Sequence, residues 1–427
     1  MEQNLYIGGE PGHDGRPLLI MVGSSYASNR AYIFEAVSAR YRLWLMNPTA
    51  PTWEFPYIQS STVVDCLDAD KLMAAAAEVC DTHEVAGMFC YDEAFIEPVS
   101  RTSTALGFRT WDPAAVARCR DKSATRAAMR TAGLLQPASR AVAALADAQA
   151  FAAEIGYPVI LKPRNLGGSM GVRKAEGPDQ LAVMYEITNG VRMSGIREFD
   201  EYVVVEEFID GPEIAVDSVL FEGQCQPIVV AHKVLGTEPP FEFDEFGHDV
   251  HADDPLLSDP ELLDLLNRSH AAVGFRNGVT HTEFKFTPRG LCLIEINARM
   301  GGDLIPYLGY LASGYDESLA AADVAAGRRP ASVVRTRHLA ASVRFACPPY
   351  DMEVASASVR DDLLRPPIHK AVLAVRPGSV LHLPPKAIAR FGYVIAVADT
   401  VTQARSAVAD PDRFFDVSGR LLTETAA

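Results

Sequence analysis

The stretch that most constrains this chain is His281 to Asp303, HTEFKFTPRGLCLIEINARMGGD. Two short strand-like runs flank Thr287-Pro288-Arg289-Gly290, and this turn signal predicts a hairpin. Strand side chains alternate with a period of two. Glu295, Asn297 and Arg299 therefore share one face if the strand runs through them, and the hairpin brings Glu283 back beside that face. Two carboxylates and an amide oxygen are hard ligands of the kind Mg²⁺ takes when it also holds phosphates. An arginine beside them can clamp a phosphate. The stretch reads as a nucleotide–metal platform that the rest of the chain must complete.

With 427 residues, 48% of them apolar, the chain can bury a sizeable core and form two or three domains. Its net charge of −16, from 55 acids against 39 bases, argues against nucleic acid or an anionic membrane as the main partner. An anionic small ligand stays compatible, because local basic groups can bind one. The seven cysteines are scattered and form no CxxC pair, which points to reduced thiols and a cytoplasmic protein. The N-terminus has no basic segment followed by an apolar run, so no signal peptide is expected. No apolar stretch approaches the roughly 18 residues a membrane span requires.

Residues 1–16 read as a loose leader. Strands are expected at Leu18–Val22, Tyr41–Met46, 63–65 and Val85–Tyr91, alternating with helices Asn29–Arg40 and Asp70–Cys80. That alternation implies an open parallel α/β domain. One helix is expected over Pro113–Gly133, with Asp121-Lys122 near its middle. A β-rich segment follows, ending in the strand Tyr157–Pro163 with Lys162 near its end. The next loop holds Gly167, Gly168, Ser169, Met170 and Gly171, and its glycines let backbone N–H groups approach an anion without obstruction. It is not a Walker A loop, since no Gly-Lys-Ser/Thr closes it. It matches the G-x-S-x-G nucleophile elbow in letters only, because Pro163-Arg164-Asn165-Leu166 separates Ser169 from the strand.

Further strands are expected over Tyr202–Ile209, Glu213–Val219 and Ile228–Val234. His232 and Lys233, at the end of the last of these, are the candidates for substrate- or phosphate-side groups, with ordinary strand residues as the equal alternative. Glu238 to Asp254 carries seven acids plus His248 and His251. The HxxH spacing invites a metal, but the proline and glycine punctuation favours a mobile loop near the site. Helix Pro260–Val273 precedes the platform. After it come a small-residue helix over Tyr307–Ala326, antiparallel strands over 338–347 and 371–397, and a last helix at Thr400–Ala409.

In chain order, Lys122, Lys162 with its glycine loop, the acidic strand end at 206–213 and the Glu-Glu-Asn-Arg platform resemble the ATP-grasp superfamily. The motifs are RDKSATRAAMRTAGL, VILKPRNLGGSMGV, VVVEEFIDGPEIAVD and HTEFKF…LIEINARMGGD, and the resemblance spans about residues 18–330. It implies an ATP-grasp fold of mixed α/β and α+β class. An N-terminal open parallel α/β domain would occupy 1–118, a small lid domain 119–206, and a C-terminal antiparallel-sheet catalytic domain with a terminal strand-helix extension 207–427.

The resemblance also implies roles. Lys122 and Lys162 would reach the α- and β-phosphates of ATP, under a flap formed by residues 165–172, including Gly167, Gly168, Ser169 and Met170. Glu206, Glu207, Phe208 and Ile209 would line the adenine, with backbone groups of Glu207 and Ile209 on its edge, and Glu213 would hold the ribose. Glu283, Glu295 and Asn297 would bind a pair of Mg²⁺ ions, for which Mn²⁺ can substitute. Arg299 would stabilise the transferring phosphoryl group. The run ARMGGDLIPYLGYLASGYD resembles the L-amino-acid ligases, which form dipeptides, and related carboxylate–amine ligases of peptide natural-product pathways. In such a reading the backbone N–H groups of Gly301 and Gly302 form a donor pocket for a carboxylate or oxyanion. The expected reaction joins a carboxylate to an amine through an acyl phosphate, releasing ADP and phosphate. The alternative is a biotin-carboxylase-like or carbamoyl-transferring enzyme of the same fold. The expected partners are small carboxylates and amines, and a homodimer is what the family implies.

Overall fold

Leu18-Leu19-Ile20-Met21-Val22 has no exposed side chain, which is what a parallel strand covered on both faces requires. The computed structural model, which describes residues 4–6, 15–108, 111–193, 199–236, 242–384 and 390–422, places this run inside a five-stranded sheet. The spatial order is Asn4–Tyr6, Ser60–Val63, Arg42–Asn47, Leu18–Val22, Val85–Cys90. All pairs are parallel except the first, which is antiparallel. Most of the expected leader and residues 238–241 of the acidic run lie outside the described residues.

The chain divides into two compact units. The first comprises residues 1–228, 256–301 and 316–333, and the second 229–255, 302–315 and 334–427. The first unit holds the parallel sheet and a second sheet of four antiparallel strands in the order Ser139–Val142, Val203–Glu207, Val159–Pro163, Arg173–Ala175. Helices Leu145–Ile155 and Pro178–Gly190 cover it, with Phe151, Leu161, Leu181, Tyr185, Val203 and Val205 in a shared core. The same unit contains the antiparallel strands Glu213–Phe221, Gly278–Thr287 and Gly290–Asn297.

The second unit pairs the latter part of Gln224–Leu235 with Glu245–His251, then adds Ala340–Ala346, Gly392–Ala398 and Ile368–Leu373, all antiparallel. A three-stranded sheet, Val380–Leu381, Met352–Val359 and Phe415–Leu421, completes it. Met352–Val359 and Phe415–Leu421 were not expected, because half-exposed serines and charges dilute their alternation.

Several expectations change. The helix expected over 113–133 is two helices, Pro113–Arg120 and Lys122–Thr131. Asp121 breaks them by adopting an extended backbone and capping the second helix at the N–H groups of Ser123 and Ala124. The helix expected over 307–326 is also two, Ile305–Ser313 and Glu317–Ala325. Gly314 ends the first in the left-handed region, where an added Cβ would lie 2.2 Å from the Thr336 hydroxyl. The expected loop around His248 and His251 contains the strand Glu245–His251.

Candidate nucleotide and metal site

The hairpin pairs Glu283 directly with Glu295, and His281 with Asn297, across strands Gly278–Thr287 and Gly290–Asn297. A bulge follows at Ile294, since Glu283 faces Glu295 while Phe284 faces Leu293. Arg126, buried on helix Lys122–Thr131, takes up the carbonyls on either side of that irregularity, donating to Leu293 O at 3.2 Å and Ile294 O at 2.7 Å. The bulge that sets the register of the two carboxylates is thereby tied to a helix more than a hundred residues earlier.

Arg299 does not continue the strand, which ends at Asn297. The chain bends there, and Arg299 is aimed by an ion pair of its Nε with Glu93 instead of by strand alternation. Glu93 also receives Arg120 at 2.6 Å. Burial alone would raise the Glu93 carboxyl, but Arg299 and Arg120 overcome it and hold it at about 2. Glu93 escapes sequence reading, although its place is suggestive: it lies just past the C-terminal end of a parallel strand, where open α/β sheets bind ligands.

Lys122 opens its helix. Its Nζ donates to Leu166 O at 2.6 Å and lies 3.4 Å from Glu295 Oε1, so one ammonium spans the glycine loop and the carboxylate hairpin. Asp121, beside it, accepts both Arg164 Nε at 2.7 Å and Nη2 at 2.8 Å, and Lys122 N donates to Arg164 O. Lys162 points instead at Glu206, with Nζ to Oε2 at 2.5 Å.

Glu206, expected in the nucleotide set, has its carboxylate committed elsewhere. Arg126 donates to both oxygens at 2.7 and 3.1 Å, Ser139 donates at 3.0 Å, and Lys162 completes the group. Burial works against its charge, yet Arg126 and Lys162 hold the carboxyl at about 2. What Glu206 offers is a fixed seat for Lys162.

The loop after Lys162 turns through Gly168, Ser169 and Gly171, all with positive φ. Gly171 has no space for a side chain, since a Cβ would approach Pro163 Cγ to 2.9 Å. Met170 lies within this turn, its N–H donating to Gly167 O, and Gly167 approaches Glu93. The strand end at 206–209 is organised by a residue that sequence reading passed over, Lys285. Its Nζ donates to Ile209 O at 3.1 Å, lies 3.7 Å from Glu213 Oε2, and sits 5.7 Å from the Phe208 ring, which Lys174 also faces at 4.6 Å. Glu207 pairs with Arg289 at 2.7 Å, and its N–H donates to Ala138 O.

The donor-pocket reading of the glycine pair is corrected at Gly301. Its N–H donates to the buried Asp217 Oδ2 at 2.9 Å, and an added Cβ would lie 2.6 Å from that oxygen. Glycine stands here because Asp217 leaves no room. Gly302 accepts the Ile305 N–H through its carbonyl. Asp217 also accepts from His281 Nδ1 at 2.6 Å, and His281 Nε2 lies 3.2 Å from Glu283 Oε1. Burial opposes a charge on this imidazole, but Asp217 and then Glu283 raise it to about 9. Glu317, beside Asp217, is pushed well above the carboxylate range by burial and by that neighbouring charge.

In the second unit, His232 and Lys233 are adjacent on one strand and so point to opposite faces; a single site cannot use both. His232 meets Asp254 at 2.7 Å and Lys233 meets Glu245 at 2.9 Å. The HxxH pair likewise does not converge. A bulge in Glu245–His251, where Leu235 faces Glu245 but Val234 faces Gly247, puts Glu245 and His248 on one face. Glu245, His248 and Asp303 place ligand atoms within 4.8 Å of one another. Lys233 on Glu245 and Arg390 on Asp303 at 2.7 Å already balance both carboxylates, so this group needs no cation. Asp303 and Leu304 both adopt positive φ, a strain of about 1–3 kcal/mol each that such pairing helps to hold.

The oxygen donors of Glu283, Glu295 and Asn297 suit Mg²⁺, and Lys122, Lys162 and Arg299 supply cations for phosphates. Residues 155–306 match the ATP-grasp domain. An uncharacterized protein of Sinorhizobium fredii is 28% identical over 403 residues, covering 91% of this chain and 80% of its own length. The alanine–anticapsin ligase of Bacillus subtilis is 28% identical over 250 residues, 52% of each chain, so the chain spans about half the length of that relative. D-Alanine–D-alanine ligases match too, over a shorter stretch. The structure of an L-amino acid ligase from Bacillus licheniformis superposes with a TM-score of 0.78 at 16% identity, over 95% of this chain and 99% of that one. No helix among the described residues is long and apolar enough to cross a membrane. Residues 155–306 are thus similar to the ATP-grasp domain, and the chain shares the fold of the L-amino acid ligase structure.

Proposed function

We propose that this protein is an ATP-dependent carboxylate–amine ligase that joins amino-acid-like substrates and releases ADP and phosphate. The observation that carries the proposal is the pairing of Glu283 with Glu295, with Lys122 3.4 Å from Glu295. The names of the ligase relatives support the reaction class.

Mg²⁺ held by Glu283, Glu295 and Asn297 would neutralise charge on the phosphates. Lys122 and Lys162 bind the α- and β-phosphates, Lys162 being held in place by Glu206. The 165–172 loop closes over them and excludes water from the reactive acyl group. Residues 207–209 and Glu213 receive the adenosine, with Lys285 fixing the positions of Phe208, Ile209 and Glu213. A substrate carboxylate oxygen attacks the γ-phosphorus, the bond to the β–γ bridging oxygen breaks, and ADP leaves. Arg299 neutralises the phosphoryl group in flight. The amine then attacks the acyl carbon, the C–O bond to phosphate breaks, and the amine loses a proton. No enzyme nucleophile is required.

We assign the boundaries 1–118, 119–206 and 207–427 to the N-terminal, lid and catalytic parts, two Mg²⁺ ions to the site, and a homodimer to the assembly. The seven free cysteines support the reducing cytoplasm as its location. A pairwise amino-acid panel read by phosphate release, with mass spectrometry of the products, tests the proposal. ADP and phosphate formed only when both substrates are present is the expected result, and AMP with pyrophosphate would overturn it. Bicarbonate-dependent ADP formation would move the chain to the carboxylating branch.

A further inference from the structure

Asp217 and His281 are direct cross-strand partners on Glu213–Phe221 and Gly278–Thr287, and His281 is in turn the partner of Asn297. One row of the sheet therefore reads Asp217, His281, Asn297. The neighbouring row reads Ala215, Glu283, Glu295. Every proposed metal ligand stands in one of these two rows. Asp217 and His281 are 0% and 4% exposed, so neither is placed there to face solvent.

We infer that Asp217 and His281 form a positioning dyad for the metal-bearing hairpin. His281 bridges Asp217 and Glu283, with ring nitrogens 2.6 and 3.2 Å from their carboxylate oxygens. A side chain held at both ends cannot rotate, and the Glu283 oxygen it touches is fixed with it. Asp217 makes a second tether through its other oxygen, which accepts Gly301 N at 2.9 Å. Gly301 is two residues beyond Arg299, so one buried carboxylate locks both the carboxylate ligand and the turn that carries the phosphate-facing arginine. Partners of this kind orient ligand carboxylates in metal sites generally, and their loss typically costs about 10–100-fold in metal affinity. Their contacts run to Glu283 and Gly301, so both are positioning residues, and they serve this role only if the hairpin holds a metal nucleotide as proposed above.

Mn²⁺ binding to the full chain in the presence of ADP, followed by electron paramagnetic resonance, tests the dyad. ADP binding in EDTA is measured alongside it. His281→Phe keeps the ring volume and removes both donors, and Asp217→Asn keeps the shape and removes the charge. Each is expected to weaken Mn²⁺ binding about 10-fold or more while metal-free ADP affinity stays within about twofold of wild type. A parallel loss of metal-free ADP affinity would show a general structural role and overturn the dyad. Unchanged Mn²⁺ affinity would overturn it as well. If His281→Phe does not fold, by circular dichroism, His281→Gln decides: one amide cannot span both partners, so wild-type Mn²⁺ affinity in that variant refutes the bridge. Failure of the wild-type chain itself to bind Mn²⁺ with ADP would instead refute the nucleotide–metal reading of the hairpin.

Discussion

Glu206→Gln is the perturbation whose size can be worked from the structure. The wild-type carboxylate is 2% exposed and is contacted by Arg126, Lys162 and Ser139. Against the opposing effect of burial, the two cations lower its titration from 4.5 to about 2. At about 1.4 kcal/mol per decade, that displacement is worth about 3 kcal/mol of folding stability at neutral pH. Breaking a buried pair by removing one partner costs about 3–5 kcal/mol, in the same range. A carboxyl depressed on folding stabilises fully above its unfolded value and loses that contribution as pH falls through its folded value. The contribution is therefore complete at pH 7, declines below about pH 4.5, and is about half gone by pH 3. Glutamine does not titrate, so the gap between wild type and variant must narrow over the same interval. Trp44, Trp53 and Trp111 all lie outside the four-stranded sheet that carries Glu206, so fluorescence would report the wrong region. Hydrogen exchange of peptides covering Val159–Pro163 and Val203–Glu207, read by mass spectrometry, measures opening of that sheet itself. Equal protection in the two proteins at pH 7, or a gap that stays constant to pH 3, would refute the reasoning.

Other outcomes follow from the same contacts. Arg299→Ala should lower the turnover of ADP formation by about 10³-fold or more with little change in ADP affinity, as steady-state kinetics and calorimetry would show; a small kinetic effect would contradict its phosphoryl role. Gly301→Ala should cost about 1–3 kcal/mol and weaken Mn²⁺ binding, because its Cβ would sit 2.6 Å from Asp217 Oδ2 and 3.1 Å from His281 Nδ1; melting temperature and metal titration test it. Asp121→Ala removes a helix cap and the two-pronged contact with Arg164, and should cost about 1–2 kcal/mol in urea unfolding while raising the Kd for ADP through displaced Lys122. Burial raises the Cys66 and Cys119 thiols to about 12 and Cys90 well above its ordinary value. In the native protein these three should resist a disulfide reagent at pH 8 and react only on unfolding.

Local pattern announced some of this and could not announce the rest. The hairpin was legible because a turn signal separates two alternating runs, but the pairing of Glu283 with Glu295 needs the bulge at Ile294, whose carbonyls Arg126 takes up from a distant helix. The parallel sheet was legible from fully apolar runs such as Leu18–Val22. Arg299 was aligned with the wrong cause: alternation continued on paper, whereas the strand stops at Asn297 and a carboxylate far earlier in the chain sets the arginine's direction. Glu206 was misread because the same residue type serves a ligand or a buried counter-ion, and only the approach of Arg126 and Lys162 tells which. Gly301 looked like a free donor because sequence does not show that Asp217, 84 residues away, takes its N–H. The bulge that aligns Glu245 with His248 breaks the strict period on which strand reading depends.

The clasp of Glu93 on Arg299 and Arg120 bears on how such chains can be recombined. A chimera that exchanges the first hundred or so residues with those of a protein similar over the ATP-grasp domain would carry the 206–213 segment, the glycine loop and the hairpin over intact. It would still leave Arg299 without its counter-charge unless the donor presents a carboxylate at the end of the corresponding strand. Grafting therefore has a checkpoint that lies outside the matched domain, and restoring an acid at position 93 is the first change to make in an inactive hybrid.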